Sequence, residues 1–298
     1  MEINSIPKNR AISVVIPIYN EADSIQPTLS SLTRILGSLD IKYEIVAVND
    51  GSKDRTIEIL NNIEIPHLRV IDRQVNRGYG ASLKIGIKEA IYEYILITDA
   101  DGTYPIDQIP RLIEEMDKYD MVVGSRNGKN VKKSLPRKIG RELVRLFACY
   151  VSESKIVDIN SGLRIFKKSL ALKFWHLFPE RFSFTSTISV AMHSMKYSVK
   201  YVSIDYHTRV GKSSIRPVQD FIGFISLISR IAIYFKPLRV FVPISLLLLA
   251  ASFVVLFGSQ MFLDRTLDST FAIFVVASLQ TLFFGLIADM IVKHFYKD

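Results

Sequence analysis

"YILITDADGTYP", residues 94–105, is an apolar run that stops at two acids one residue apart, Asp99 and Asp101. A strand ordinarily ends in a turn, and Asp and Gly are ordinary turn residues. Two carboxylates on alternate positions at a strand end can instead meet one divalent ion. Mg2+ and Mn2+ take one or two carboxylates and fill their other positions with phosphate oxygens and water. The choice lies between a polar turn and a cation site, and the flanking sequence decides it.

The flanks alternate. "AISVVIPI" (11–18), "YEIVAVN" (43–49), "LRVID" (68–72), "YILIT" (94–98) and "DMVVG" (120–124) read as strands. "SIQPTLSSLTRIL" (24–36), "DRTIEILNNI", "GASLKIGIKEAIYE" and "IPRLIEEMDK" read as helices between them. Short apolar strands separated by helices predict an α/β fold, a mostly parallel sheet with helices on both faces. Ligands of such sheets bind outside the carboxyl ends of the strands. Those ends read "PIYNE", "NDGSKD", "NRGYG", "DADGTYP" and "GSRNG". One polar end means a turn, whereas five on one edge predict a pocket with Asp99 and Asp101 in it.

Beyond residue 125 the pattern loosens. "GKNVKKSLPRKIGR" is a basic segment leading into a helix that contains Cys149, the sole cysteine. One cysteine excludes an intramolecular disulfide and fits a reducing compartment; beside Leu146, Phe147 and Ala148 it reads as core packing. "VKYVSIDYH" (199–207) alternates like a strand that includes His207, and "TRVGKSS" (208–214) is a basic Gly loop. In "VQDFIGFISLISRIAIYF" (218–235), Gln219, Gly223, Ser226 and Arg230 recur every three to four positions, which predicts an amphipathic helix lying in the lipid interface.

Val240 to Gly258 and Ser269 to Ala288 are uncharged, and each has about the twenty residues needed to cross a bilayer core. Lys236 and Arg239 precede the first run, and Lys293 and Lys297 follow the second. The loop between them carries Arg265 against Asp264 and Asp268, so both termini are expected in the cytoplasm and the loop outside. Met1 to Arg10 has no apolar core, so no signal peptide is expected. The 298 residues carry a net charge of +9, which suits anionic lipid and anionic substrates. No recognition motif accompanies that charge, so no nucleic-acid partner is expected. The expected organisation is a cytoplasmic α/β domain over 1–214, a juxtamembrane amphipathic helix over 215–236 and a two-helix multi-pass membrane region over 237–298.

"VVIPIYNE", "VNDGSKDRT", "NRGYGASLKIGI", "DADGTYP", "VVGSRN" and "DINSGLRIFKK" occur in that order. Together they resemble the motifs of family 2 glycosyltransferases with the GT-A fold. "DYHTRVGKSSI", the amphipathic helix and the two spans resemble the polyprenyl-phosphate branch, which includes dolichyl-phosphate mannose synthases and bacterial undecaprenyl-phosphate glycosyltransferases. The resemblance implies a nucleotide-sugar donor, UDP in preference to GDP, a polyprenyl-phosphate acceptor, Mg2+ or Mn2+, and inversion at the anomeric carbon. It implies that Pro17, Tyr19, Asn20, Glu21 and Asp50 line the base and ribose pocket, with Asn76 and Gly78 in the same nucleotide-sugar set. Asp99 and Asp101 are implied as the metal carboxylates, with Asp99 also near the ribose. Arg126, Arg137, Arg141 and Arg209 are implied on the acceptor phosphate or donor, and Lys212 and Ser213 on the donor phosphates. Asp101, Arg126 and Asp158 form the implied catalytic set. Some relatives act as single chains and others assemble through the juxtamembrane region, so a homo-oligomer is compatible with the sequence.

Each residue has a plainer reading. Pro17 can end a strand, Asp50 and Gly51 can form a turn, and Asn76 and Gly78 can cap a helix. Arg137 and Arg141 can be a solvated helix face, Lys212 a membrane-surface lysine, and Asp158 an N-cap or a partner of Arg164. Asn49 stands where many relatives have a second acid, and Thr103 where some have Gln. The Gln-x-x-Arg-Trp motif of processive synthases is absent, and Trp175, the sole tryptophan, follows no such pattern; transfer of one sugar is expected. The rival readings are a catalytically silent membrane scaffold and a membrane nucleotidyl- or phosphotransferase.

Overall fold

The computed structural model describes residues 10–127, 135–180, 183–207, 229–263 and 267–295. Its strands are β1 (Ala11–Ile18), β2 (Lys42–Asp50), β3 (Leu68–Arg73), β4 (Tyr94–Ile97), β5 (Met121–Ser125), β6 (Arg164–Lys167) and β7 (Val199–Ser203). They form one sheet in the order β3-β2-β1-β4-β6-β5-β7. The pairings are parallel except those of β6, which runs antiparallel to both β4 and β5. The expected mostly parallel sheet with helices on both faces is therefore present, with one reversed strand inserted between the fourth and fifth predicted strands.

Period-two alternation divides the core. Val15, Val46 and Val48 face one layer with Leu83 and Ile87 of α3 (Tyr79–Glu89), Ala148 and Val151 of α5 (Leu135–Ser152) and Ile188 of α7 (Phe184–Ser194). Ile12, Val14, Ile16 and Ile45 face the other, with Leu29 and Leu32 of α1 (Ile25–Gly37), Leu60 of α2 (Thr56–Asn62) and Leu112 of α4 (Ile109–Ile113). Each fully buried Leu or Ile contributes about 2 kcal/mol. α4 stops earlier than "IPRLIEEMDK" predicts. Glu115, Met116 and Lys118 donate their amides three residues back rather than four, and Asp117 pairs with Arg10. α6 (Lys168–Lys173) follows β6.

The sheet splits where the site will form. β1 and β2 stay paired to Ile18↔Asn49, but β1 and β4 stay in register only to Val15↔Ile97. Beyond that point β1 pairs on one side alone. Pro17, which has no amide hydrogen, falls in this singly paired part, where a missing donor costs least. β1 also marks the switch point, because the chain steps outward from β1 to β2 and β3 and then crosses back to place β4 on the other side of β1.

Among the described residues, two long helices follow the sheet, α8 (Leu238–Leu263) and α9 (Asp268–Phe295). Leu238–Met261 and Asp268–His294 are long and apolar enough to cross a membrane, and little of either is buried. They are joined in mid-span by reciprocal hydrogen bonds, Ser245 Oγ to the Ser278 carbonyl and Ser278 Oγ to the Ser245 carbonyl, each 2.9 Å. Residues 229–235 are helical. The remainder of the amphipathic segment, 218–228, lies outside the described residues. His207 is not in a strand: β7 ends at Ser203, and the His207 amide donates to the Thr103 carbonyl at 2.9 Å.

His193 of α7 is buried, with a ring nitrogen 2.9 Å from the Tyr201 hydroxyl. Burial, aided by the nearby Lys196 charge, pushes its pKa down to about 4 from 6.5. The folded chain thus resists a proton that the unfolded chain accepts. This stability is fully present above pH 6.5 and is lost as pH falls toward 4, by about 2 kcal/mol at pH 5. Unfolding of the full chain in detergent at pH 7 and pH 5 should show this loss, and His193→Gln should remove it. An equal loss in the variant would assign the effect to other groups.

Candidate active site

The carboxyl ends of β1, β2 and β4 and the start of β6 meet at the split. β6 contributes its beginning rather than its end because it runs backwards. Asp99 and Asp101 follow β4, and Asp101 is buried. Asp101 Oδ1 accepts from the Thr103 amide at 3.2 Å and from Thr103 Oγ1 at 2.6 Å. Thr103 therefore orients this carboxylate. Asp99 Oδ1 accepts from the Tyr79 hydroxyl at 2.9 Å. Burial, reinforced by the Asp99 charge, raises the Tyr79 phenol well above its ordinary value, so it stays a donor. Behind Asp99 the chain passes so close that a Cβ on Gly162 would lie 2.8 Å from Asp99 Oδ2 and 2.9 Å from Oδ1. A side chain at 162 would push the Asp99 carboxylate out of this position.

The turn that brings Gly162 so close is held from below. Arg164, fully buried, donates Nε to the Ser161 carbonyl at 3.0 Å and a terminal nitrogen to the Thr185 carbonyl and Ser189 Oγ at 2.8 and 2.9 Å. Burial lowers its pKa, but a guanidinium starts so high that it stays charged. The Gly162 amide donates to the Tyr104 hydroxyl at 2.5 Å. Burial is also the main cause that raises the Tyr104 pKa.

Asp158 pairs with Arg126, not with Arg164. Arg126 Nε and Nη2 donate to the two carboxylate oxygens at 2.8 Å each, and the Arg126 and Asn160 amides add bonds of 3.1 Å. The β5–β6 register explains the choice, since Val123↔Arg164 sets the residues after β5 beside those before β6. Burial disfavours the Asp158 anion, but the Arg126 and backbone bonds outweigh it and hold the carboxyl below the usual range. Burial likewise disfavours the Arg126 cation, but the Tyr104 and Asp158 oxygens outweigh it and raise its pKa. The guanidinium carbon lies 5.4 Å from the Tyr206 ring centre.

The remaining predicted residues divide. Tyr19 and Asn20 are exposed at the end of β1. Asn20 has a φ of 55° and locks the β2–α2 loop, accepting from the Lys53 amide at 2.7 Å. Glu21 anchors the same loop through its amide, which donates to Thr56 Oγ1 at 2.9 Å. Asp50 is buried, accepts from the Arg77 and Gly78 amides at 3.1 and 2.6 Å and pairs with Arg73 at 3.0 Å. It thereby fixes the loop that carries Gly78 and exposed Asn76. Asn49 holds Asp72 at 2.6 Å. The side chains of Arg137 and Arg141, and all of Arg209, Lys212 and Ser213, lie outside the described residues. Tyr79, Tyr104, Arg164 and Tyr206 were not predicted, although Tyr79 and Tyr104 stand inside the "NRGYG" and "DADGTYP" motifs.

Among the described residues no cluster of three or more His, Cys, Asp or Glu could hold a metal ion. Asp99 and Asp101 supply hard oxygen donors alone. That set fits Mg2+ or Mn2+ completed by diphosphate oxygens and does not fit a thiolate- or imidazole-bound metal.

Two acids at the carboxyl edge of an α/β sheet mark a candidate ligand site, and comparison with known proteins narrows it. Residues 13–176 match glycosyl transferase family 2 and residues 236–293 match the GtrB C-terminal hairpin. The chain belongs to glycosyl transferase family 2. It is 28% identical over 251 residues to dolichyl-phosphate beta-glucosyltransferase ALG5C of Trichomonas vaginalis, covering 77% of this chain and 73% of that one. It is 31% identical over 201 residues to undecaprenyl-phosphate 4-deoxy-4-formamido-L-arabinose transferase of Edwardsiella ictaluri, covering 65% of this chain and 61% of that one. It spans between 47% and 52% of the length of several further curated relatives. Glucosyl-3-phosphoglycerate synthase of Mycobacterium tuberculosis, crystallised with Mn2+, UDP-glucose and phosphoglyceric acid, shares the fold. Its TM-score is 0.58 at 16% identity, over 75% of this chain and 80% of that one.

Proposed function

We propose that this chain is a membrane-bound inverting glycosyltransferase that moves one sugar from a nucleotide-diphosphate sugar to a polyprenyl phosphate. UDP is the preferred nucleotide, and undecaprenyl or dolichyl phosphate the acceptor. The observation that carries this reading is the joining of an acidic strand-end site to two membrane-length helices in one chain. One substrate is soluble, and the other presents its phosphate at the membrane surface. The names of the two relatives above support the acceptor class. Residues 1–214 form the cytoplasmic catalytic domain, 215–236 the juxtamembrane helix and 237–298 the membrane region, with both termini cytoplasmic.

Pro17, Tyr19, Asn20 and Glu21 border the nucleotide, on loops fixed by Asp50 beside Asn76 and Gly78. Asp99 and Asp101 hold Mg2+ or Mn2+ on the donor diphosphate. When bound, the ion supplies electrostatic stabilisation to the departing diphosphate. Arg126, with Arg137, Arg141 and Arg209, positions the acceptor phosphate, and Lys212 and Ser213 close on the donor phosphates. A phosphate monoester has a second pKa of about 6, so it arrives largely ionised and needs aiming more than deprotonation. Asp158, with four hydrogen bonds and a lowered pKa, suits the aiming of Arg126 better than proton abstraction.

Full-length protein in detergent is tested with undecaprenyl or dolichyl phosphate, Mn2+ or Mg2+ and a panel of labelled UDP- and GDP-sugars. Label in the organic phase, abolished by EDTA, is expected. Nucleotide binding without transfer to any polyprenyl phosphate would overturn the acceptor assignment. Tyr79→Phe removes the donor to Asp99 without changing the packing volume. Its metal requirement for transfer should rise about ten-fold. An unchanged metal titration would leave Tyr79 a packing residue.

A further inference from the structure

Four charged side chains converge where the sheet domain meets the first membrane helix. Glu153 follows the last residue of α5 and takes a left-handed φ of 53°. Its Oε2 lies 2.5 Å from Lys236 Nζ and 3.6 Å from Lys196 Nζ, and Oε1 pairs with Arg239. Arg239, in the first turn of α8, lies over the Tyr150 ring at 5.2 Å, and the Tyr150 hydroxyl donates to the Arg239 carbonyl at 3.1 Å. Three cations against one carboxylate leave an excess of positive charge.

The depth of this cluster is set by its neighbours. The apolar run of α8 begins at Leu238, between Lys236 and Arg239. On α5, Leu143, Leu146 and Tyr150 follow one another at i, i+3 and i+7 and are 51%, 55% and 47% exposed. An exposed apolar stripe that ends at the foot of a membrane helix belongs at the lipid–water boundary. The cations therefore stand at headgroup level.

We propose that Lys196, Lys236 and Arg239 form a headgroup site for an anionic phospholipid, with Glu153 as the internal anion that the lipid phosphate displaces. The proposal rests on the reading that α8 spans the bilayer. A phosphate offers oxygens to two ammonium groups and a guanidinium at once. Glu153 is 39% exposed on its side chain and can turn to water when it is displaced.

The test uses full-length protein in nanodiscs of phosphatidylcholine with a rising fraction of phosphatidylglycerol, reading the thermal unfolding midpoint. The wild type is expected to gain stability with phosphatidylglycerol. Glu153→Gln removes the competitor and should reach half its gain at about five-fold less phosphatidylglycerol, and Lys196→Gln should need about five-fold more. Glu142→Gln, the same charge change within α5 and away from the cluster, should behave as wild type. Equal responses of Glu153→Gln and wild type, or of Glu153→Gln and Glu142→Gln, would overturn the site. So would the same gain from inorganic phosphate added to pure phosphatidylcholine discs, which would make the ligand a soluble anion. Flotation with pure phosphatidylcholine vesicles tests the spanning reading separately; failure to float overturns that reading and the site with it.

Discussion

Asp101→Asn is expected to lower sugar transfer about a hundred- to a thousand-fold while leaving the fold in place. The substitution keeps an oxygen where Thr103 donates from its amide and its hydroxyl, so the local turn persists. What it removes is the negative charge that, under the proposed function, draws a divalent cation to the end of β4. Mn2+ affinity, measured on the full chain in detergent, should fall with activity, and the thermal midpoint should not. Transfer within ten-fold of the wild type would take Asp101 out of the reaction. Unfolding of the variant would make it a structural acid instead.

Asp158→Ala is expected to cost more stability than Asp158→Ala combined with Arg126→Ala. Both side chains are largely buried, 19% and 11% exposed for Arg126 and Asp158. Removing the acid alone strands a guanidinium in a site built for an ion pair, which costs about 3–5 kcal/mol. Removing both leaves a gap but no orphaned charge. The cycle is read from denaturant unfolding of the full chain in detergent, and additive single effects would show that the pair is not coupled. Acid should mimic the single variant. Because the folded pKa of Asp158 is depressed, its contribution is fully present above about pH 4. It is lost as pH falls through the lowered folded value. Transfer should fall in Asp158→Ala as well, since Arg126 loses the carboxylate that aims it.

Much of this was legible before any coordinates. The β-branched runs and their Gly- and Asp-bearing ends located five strands and the edge that holds Asp99 and Asp101, because both signals are local. β6 was not legible. "RIFK" is four residues long, and only its insertion between β4 and β5 makes it a central strand. The partner of Asp158 was out of reach for the same reason. Arg164 is nearer in sequence than Arg126, and only the β5–β6 register decides between them. Tyr79 sits where a helix could bury any large apolar side chain, and its hydroxyl acquires a meaning only once α3 is docked against β1 and β2. In the sequence Arg164 stands only as an alternative partner of Asp158, yet it is fully buried and bonded to carbonyls that no local pattern announces.

The antiparallel course of β6 gives the chain an unusual itinerary. It leaves the site at Arg126, runs out along α5 to the foot of α8, and returns at Asp158, 32 positions later, to the residue it left. One ion pair clasps the two ends of that excursion, and its far point is tied to the membrane helix by Tyr150 and Glu153. Under the proposed function, the contact with the membrane region and the aim of Arg126 thus belong to a single stretch of chain. If α8 spans the bilayer as proposed, a tilt of α8 in a thicker or thinner bilayer is expected to load that clasp through α5.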